Sequence, residues 1–295
     1  MVVMNESFSD LTTYLEGYET STDPMPYVRS LTNRGDVVSG TCAVSSDMGT
    51  GTANSEFEFL TGNSMAYFKG NTPYVQFIDA ETPSLASLLA GRGYSTMAMH
   101  AYERAGYNRV KVYDRFGFET YKGIEDFDVD LDYARGYPTD EANCRQLISY
   151  FETVDEPTVV LFFGGHEPRL SDEFYSSWFT DENDLDLETT AQLHNLHMGQ
   201  LQFERRIDPE GLGGFAKLSF YGLFQTAGVQ LSPCQEYLAD LRMEHPVITA
   251  RYFATAFGDK VGTAPSAFTD SIREYQWLQY NCVFDRAHRI PGFYS

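Results

Sequence analysis

The run Thr158-Val159-Val160-Leu161-Phe162-Phe163 is apolar after its first residue and does not alternate, and Gly164-Gly165-His166 follows at once. An alternating strand buries one face, whereas a strand apolar throughout is covered on both, as in a parallel sheet between helices. Such a sheet gathers ligands at the carboxyl ends of its strands. The run therefore predicts an α/β domain and directs attention to the polar residues that close each strand.

Two further stretches have that form. Val2 to Met4 is closed by Asn5-Glu6-Ser7-Phe8, and Tyr94 to His100 ends on an imidazole with Tyr102, Tyr107, Asn108 and Arg109 beyond it. Glu6, His100 and His166 thus stand at strand ends. Glu6 reads either as a metal ligand or as a solvated loop acid. His100, with an arginine nearby, suits recognition of an oxyanion. Between these strands, after a β-rich stretch from Asp36 to Val44, lies Gly49-Thr50-Gly51-Thr52-Ala53-Asn54-Ser55-Glu56-Phe57. A loop entering a helix leaves amide N–H groups unpaired and pointing outward, a seat for an anion. Thr52 at that junction either caps the helix or, with its proton affinity lowered by a metal ion, acts as a nucleophile.

Other elements fill the chain. Residues 23–31 carry helix-start prolines, and Glu81 to Gly91 reads as an amphipathic helix with Thr82 as N-cap and Pro83 at its first position. A helix is expected over Tyr137 to Thr153, with Asp140 and Glu141 in its first turn. Ser232-Pro233-Cys234-Gln235 has the form of a capping box, with Leu238 and Leu241 continuing an apolar face. A last helix over Phe268 to Phe284 places Ile272, Tyr275 and Leu278 or Gln279 on one face. His194 and His197 are spaced to bind a metal or to lie on an exposed helix face.

Composition bounds the function. The 295 residues suffice for one large domain, and a 42% hydrophobic content with 20 tyrosines and 22 phenylalanines is globular. A net charge of −21 argues against binding nucleic acid or anionic lipid directly. It leaves anionic substrates open, because a bound divalent cation would dominate the local field. No run of about 18 apolar residues is present, and the start lacks the basic and apolar regions of a signal peptide. A domain that opens on a strand suggests an upstream portion of a longer protein. Cys42, Cys144, Cys234 and Cys282 show no metal-like spacing.

Taken in order, Asn5-Glu6-Ser7-Phe8-Ser9-Asp10, Gly51-Thr52-Ala53-Asn54-Ser55-Glu56-Phe57-Glu58-Phe59, Met99-His100 with Tyr107-Asn108-Arg109, and Phe163-Gly164-Gly165-His166-Glu167-Pro168 resemble the lipoteichoic acid synthase group of phosphoglycerol transferases. That group lies within the sulfatase and alkaline-phosphatase-like superfamily. The likeness runs over most of 1–170 and resumes around 215–285. The resemblance implies a single catalytic domain over 1–295, residues from about 215 being its carboxyl-terminal part, with a mainly parallel sheet flanked by helices. It also implies one Mn²⁺ or Mg²⁺ and a place on the extracellular face of the cytoplasmic membrane, behind an amino-terminal anchor missing here. Carried over, Glu6, Thr52 and His166 would ligate the metal, and Thr52 would form a phosphoglyceryl intermediate. His100, Arg109, Tyr107 (where the family usually has tryptophan) and Asn108 would bind substrate. The donor would be a phosphatidylglycerol-type lipid, and the acceptor a glycolipid or glycopolymer.

The sequence also departs from the family. Gly165 stands where the family has an aspartate ligand, so one carboxylate is missing and the remaining set should hold Mn²⁺ poorly. A strand, an Asn-His substrate loop and a helix expected between the counterparts of Asp140 and Leu147 are absent, and residues 191–208 are unlike the family. These departures imply an incomplete sheet with an internal deletion. They set beside the transferase two alternatives: an inactive relative that binds envelope glycopolymers or a partner, and a metal-dependent hydrolase of phosphodiesters or sulfate esters.

Overall fold

The structure is a computed structural model that describes residues 1–5, 7–8, 12, 18–31, 51–68, 72–156, 158, 160–165, 170–171, 173–174, 177, 228–244, 247–248, 252–254, 260–262 and 270–295. In chain order its elements are β1 (Val2–Asn5), α1 (Pro26–Leu31), α2 (Thr52–Thr61), α3 (Pro73–Gln76), α4 (Leu85–Gly91), β2 (Met97–Met99), α5 (Arg109–Arg115) and β3 (Thr120–Lys122). They continue with β4 (Tyr133–Ala134), β5 (Tyr137–Pro138), α6 (Asp140–Phe151), β6 (Leu161–Gly164), α7 (Pro233–Glu244), β7 (Val247–Ile248), β8 (Tyr252–Ala254), β9 (Lys260–Gly262) and α8 (Asp270–Val283).

The architecture is α/β. β1 pairs in parallel with β6, in the register Val2 with Leu161 through Asn5 with Gly164. β2 pairs in parallel with β3, and His100 extends that ladder through its amide to the Lys122 carbonyl. The β4–β5 hairpin and the β7–β8–β9 sheet are antiparallel. The apolar run is thus a strand beside the chain's first strand, as its composition predicts. It is shorter than expected, and Val160 and Phe162 stay exposed rather than covered on both faces.

The core lies between helices. Ala53 and Phe57 of α2, Tyr74 of α3, Val112, Tyr113 and Phe116 around α5, Tyr121 of β3, and Cys282 and Val283 of α8 pack into one buried cluster. On α8 the buried set includes Ile272, Tyr275, Leu278 and Gln279, the spacing expected of its apolar face. Ser232 caps α7 through reciprocal contacts with Gln235, its amide donating to Gln235 Oε1 at 3.0 Å.

Three expectations are corrected by local chemistry. The N-cap of α4 is Ser84 rather than Thr82: Ser84 Oγ accepts from the Ser87 amide and its own amide donates to Ser87 Oγ. Thr82 instead ties its amide to the Arg115 carbonyl. The strand after α4 starts at Met97, because Thr96 turns its hydroxyl to the Gly117 carbonyl. Helix α6 begins at Asp140, capped by Thr139, since the residues before it form a hairpin. Arg135 and Gly136 occupy the two-residue turn with φ of 54° and 83°, the left-handed pair that matches strand twist. The β-rich stretch 36–44, residues 191–208 and the His194/His197 pair lie outside the described residues.

Candidate functional site

Thr52 is the first residue of α2 and is 8% exposed. Gly51 precedes it with φ 117°, a conformation that glycine adopts without steric cost and that turns the loop into the helix. The Asn54 and Ser55 amides both donate to the Gly51 carbonyl, at 2.7 and 3.1 Å. The positive dipole end of an α-helix favours an anion beside its first turn. The hydroxyl of Thr52 therefore sits where an oxyanion is stabilised.

One turn further along α2, Glu56 meets Arg109, the first residue of α5. Arg109 is 1% exposed; its Nη2 donates to Glu56 Oε1 at 2.6 Å and its Nε to Oε2 at 3.2 Å. Tyr113 completes the arrangement, its hydroxyl donating to Glu56 Oε2 at 2.9 Å and accepting from Arg109 Nε at 3.2 Å. Burial works to discharge the guanidinium, but the adjacent Glu56 charge and its hydrogen bonds outweigh it and raise its pKa. Burial first, and the Glu56 charge second, push the Tyr113 and Tyr74 phenols well above their ordinary range. The network is one buried cation, one buried anion and neutral phenols, locking α2 to α5. Sequence reading missed Glu56 because its partner lies 53 positions away; the available signal was its spacing, one helical turn from Thr52.

Two nitrogens of Arg109 are thereby committed. The third, Nη1, is buried and has no hydrogen-bond partner among the described residues. The Arg109 guanidinium lies 5.2 Å from the centre of the Tyr107 ring, a cation–π distance. Tyr107 and Asn108 both have left-handed backbones, with φ of 52° and 60°. Such a conformation costs a residue like Tyr107 roughly 1–3 kcal/mol and asparagine less, and here it forms the turn that starts α5 at Arg109. Asn108 reaches the Tyr74 carbonyl at 3.5 Å, and His100 is partly buried at the end of β2. Tyr107, Asn108 and Arg109 are thus brought together, with Arg109 joined to α2 through Glu56.

The expected metal ligands Glu6 and His166 lie outside the described residues, but the residues that precede them do not. Asn5 and Gly165 are held together at the carboxyl ends of β1 and β6, the Gly165 amide donating to the Asn5 carbonyl at 2.7 Å. Helix α2 packs on the same strand pair through Phe59 and Phe163, whose ring centres are 5.0 Å apart. A side chain built at Gly165 would place its Cβ 3.2 Å from Met4 Cγ, a contact a flexible thioether can relieve; at Gly164 it would lie 2.3 Å from the Phe8 carbonyl oxygen. Among the described residues no three His, Cys, Asp or Glu side chains converge as a metal centre. No helix among them is long and apolar enough to cross a membrane.

Residues 1–144 match the sulfatase family model. The amino-terminal half of the chain is therefore similar in sequence to the sulfatases, the superfamily its motifs pointed to. A protein of Rhizobium meliloti (strain 1021) named for cyclic β-1,2-glucan modification is 34% identical over 191 residues, 63% of this chain and 28% of that protein. The lipoteichoic acid synthase LtaP of Listeria monocytogenes overlaps 68% of the chain and 50% of its own at 19% identity and a TM-score of 0.41. An alkaline phosphatase superfamily protein of Vibrio parahaemolyticus overlaps 70% of the chain and 50% of its own at 14% identity and the same score. Neither overlap is close enough to bear on mechanism. The chain spans less than a third of the Rhizobium relative and half of each solved structure.

Proposed function

We propose that the chain carries the catalytic part of a metal-dependent phosphoglycerol transferase of the cell envelope. Thr52 is its nucleophile, the donor is a phosphatidylglycerol-type lipid and the acceptor is a glycolipid or glycopolymer. The observation that supports this most is the meeting at β1 and β6: Asn5 and Gly165 lead directly into Glu6 and His166, and α2, which begins at Thr52, rests on the same strands. The donor set of one carboxylate, one hydroxyl and one imidazole offers a small divalent ion hard oxygens and a nitrogen, but it is one carboxylate short of the family pattern and would hold Mn²⁺ weakly. Such an ion, when bound, lowers the proton affinity of the threonine hydroxyl. The name of the Rhizobium relative favours a glucan among the acceptors.

The residues then divide the work. The Thr52 oxygen attacks phosphorus, and the bond to the diacylglycerol oxygen breaks, that oxygen leaving with a proton. An acceptor hydroxyl next attacks the same phosphorus, gives up its proton, and frees Thr52. The amides at the start of α2 and Nη1 of Arg109 face the charge that grows on the phosphoryl oxygens. His100, Tyr107 and Asn108 hold the glycerol phosphate. Gly165 favours a second reading, a relative that binds the glycopolymer without turnover, because it supplies no ligand.

The test is release of glycerol phosphate from a phosphatidylglycerol analogue, with and without Mn²⁺, by the parent, Thr52→Ala and Gly165→Asp. Mn²⁺-dependent release lost in Thr52→Ala is expected. Release by Gly165→Asp alone would identify a site disabled by one missing ligand, and silence in all three folded proteins would leave only the binding reading.

A further inference from the structure

Beside the Arg109 site lies an aromatic feature that the proposed chemistry does not use. Tyr102 and Tyr137 face each other with ring centres 5.6 Å apart and planes tilted by 35°, and they are 38% and 59% exposed. Two exposed rings held side by side offer aromatic surface to a ligand. The patch adjoins the site. The position a Cβ of Gly106 would take is 3.4 Å from the Tyr102 ring and 3.9 Å from Arg109 Nη1, the buried donor without a partner. The rings are also firmly mounted. Tyr102 accepts from the Ile124 amide through its carbonyl, and Tyr137 belongs to the β4–β5 hairpin. Arg145 pins the approach to that hairpin, donating to the Asp130 carbonyl at 2.9 Å and to Asp132 at 2.6 Å.

The chemistry around the rings selects an occupant. The segments that carry the rings are acidic in sequence: Glu103 follows Tyr102, and Glu125, Asp126, Asp128, Asp130 and Asp132 precede the hairpin. Arg104 engages Asp126 and Arg145 engages Asp132 and Glu141, so with Lys122 and Arg135 counted the two segments still carry more acids than bases. A polyanion is repelled by such a surface. A pyranose ring is not: its C–H face lies flat on an aromatic face, and its hydroxyls donate to carboxylates and to the tyrosine rims. Two rings are also too small an area for a stable protein interface.

We propose that Tyr102 and Tyr137 form a sugar-stacking subsite that receives a neutral hexose unit of the acceptor glycan next to Arg109. This rests on the transferase reading above for the word acceptor, but the binding itself does not depend on turnover. The experiment is calorimetric titration of the chain with a neutral β-linked gluco-oligosaccharide of about six units. The same titration is made with Tyr102→Ala/Tyr137→Ala, with Tyr102→Phe/Tyr137→Phe and with Thr52→Ala. Circular dichroism confirms that each is folded.

Binding by the parent, by the phenylalanine pair and by Thr52→Ala is expected, with a loss of about tenfold in the alanine pair, the scale of an aromatic contact. No binding by the parent, equal binding by the alanine pair, or binding only of an anionic glycerol-phosphate polymer would overturn the subsite. Oligosaccharide binding without glycerol phosphate transfer would keep the subsite and remove the transferase reading. Transfer to a glucan with an acceptor KM unchanged in the alanine pair would do the reverse.

Discussion

Around α2 and α5, Ala53, Phe57, Tyr74, Val112 and Phe116 are fully buried, and an ion pair is closed inside them. On the strand pair β1–β6, Val2, Val160 and Phe162 remain 37%, 53% and 47% exposed, and each strand has one partner among the described residues. Both regions contribute to the same proposed site, one with Thr52 and Arg109, the other with the approaches to Glu6 and His166. The difference is one of support. The helical side holds its functional groups by packing and by hydrogen bonds in a dry interior. The strand side holds its own by a short ladder with apolar surface left uncovered, the condition expected of a sheet that has lost an interior strand.

The largest effect should come from the helical side. Glu56→Ala leaves the Arg109 charge buried without its anion, a change that typically costs about 3–5 kcal/mol. Urea unfolding followed by circular dichroism should show that loss. Replacing both partners, Glu56→Leu with Arg109→Met, should recover much of the stability and, on the proposed function, abolish glycerol phosphate release. If Glu56→Ala costs less than about 1 kcal/mol, the pair is solvated and the contrast between the regions fails.

On the strand side the glycines give a graded test. Gly164→Ala forces a methyl against the Phe8 carbonyl, where the backbone rather than a side chain must move; a cost of about 1–3 kcal/mol is expected, as for overpacking. Gly165→Ala meets only the end of Met4, which can swing aside, and should cost under about 1 kcal/mol. Hydrogen exchange on Gly164→Ala should speed the amides of β1 and β6 and leave those of α2 and α5 unchanged. Uniform acceleration throughout would mean that the two regions unfold as one unit.

What the sequence made legible follows the same division. Val2 to Met4 and Thr158 to Phe163 are readable as strands from apolar content, though the second run pairs only from Leu161, and the start of α2 is readable from its glycine-threonine junction. The capping box at Ser232 and the face of α8 were readable from spacing. The β4–β5 hairpin was not, because Tyr137-Pro138-Thr139-Asp140 resembles a helix start and the turn signal, Arg135-Gly136, places a non-glycine residue at positive φ. Ser84 displaced Thr82 as a cap through a serine-serine exchange that the usual Glu or Gln signature does not announce. Arg109 was singled out as a substrate ligand, yet its engagement with Glu56 and Tyr113 arises from tertiary packing that no local pattern encodes. Tyr102 and Tyr137 were unreadable as a pair for the same reason.

The smallest effect at neutral pH is a titration on the well-packed side. Burial pushes the Cys282 thiol of α8 from its ordinary 9.0 up to about 11, and Cys234 of α7 up to about 12. The unfolded chain releases these protons as pH passes about 9, while the folded chain keeps them until about 11 or 12. In that window the folded state binds more protons, so stability is intact below pH 9 and falls as pH rises above it. The expected slope is at most about 1.4 kcal/mol per pH unit for each thiol. Thermal midpoints measured from pH 8 to pH 11 should therefore decline, and more gently in Cys282→Ala, which lacks one titrating group. The exposed Cys144 should react with a thiol reagent in the native protein at pH 8, while the buried Cys282 waits for unfolding. Equal native reactivity of Cys282 and Cys144 would open the interior of the helical side and erase its advantage over the strand pair.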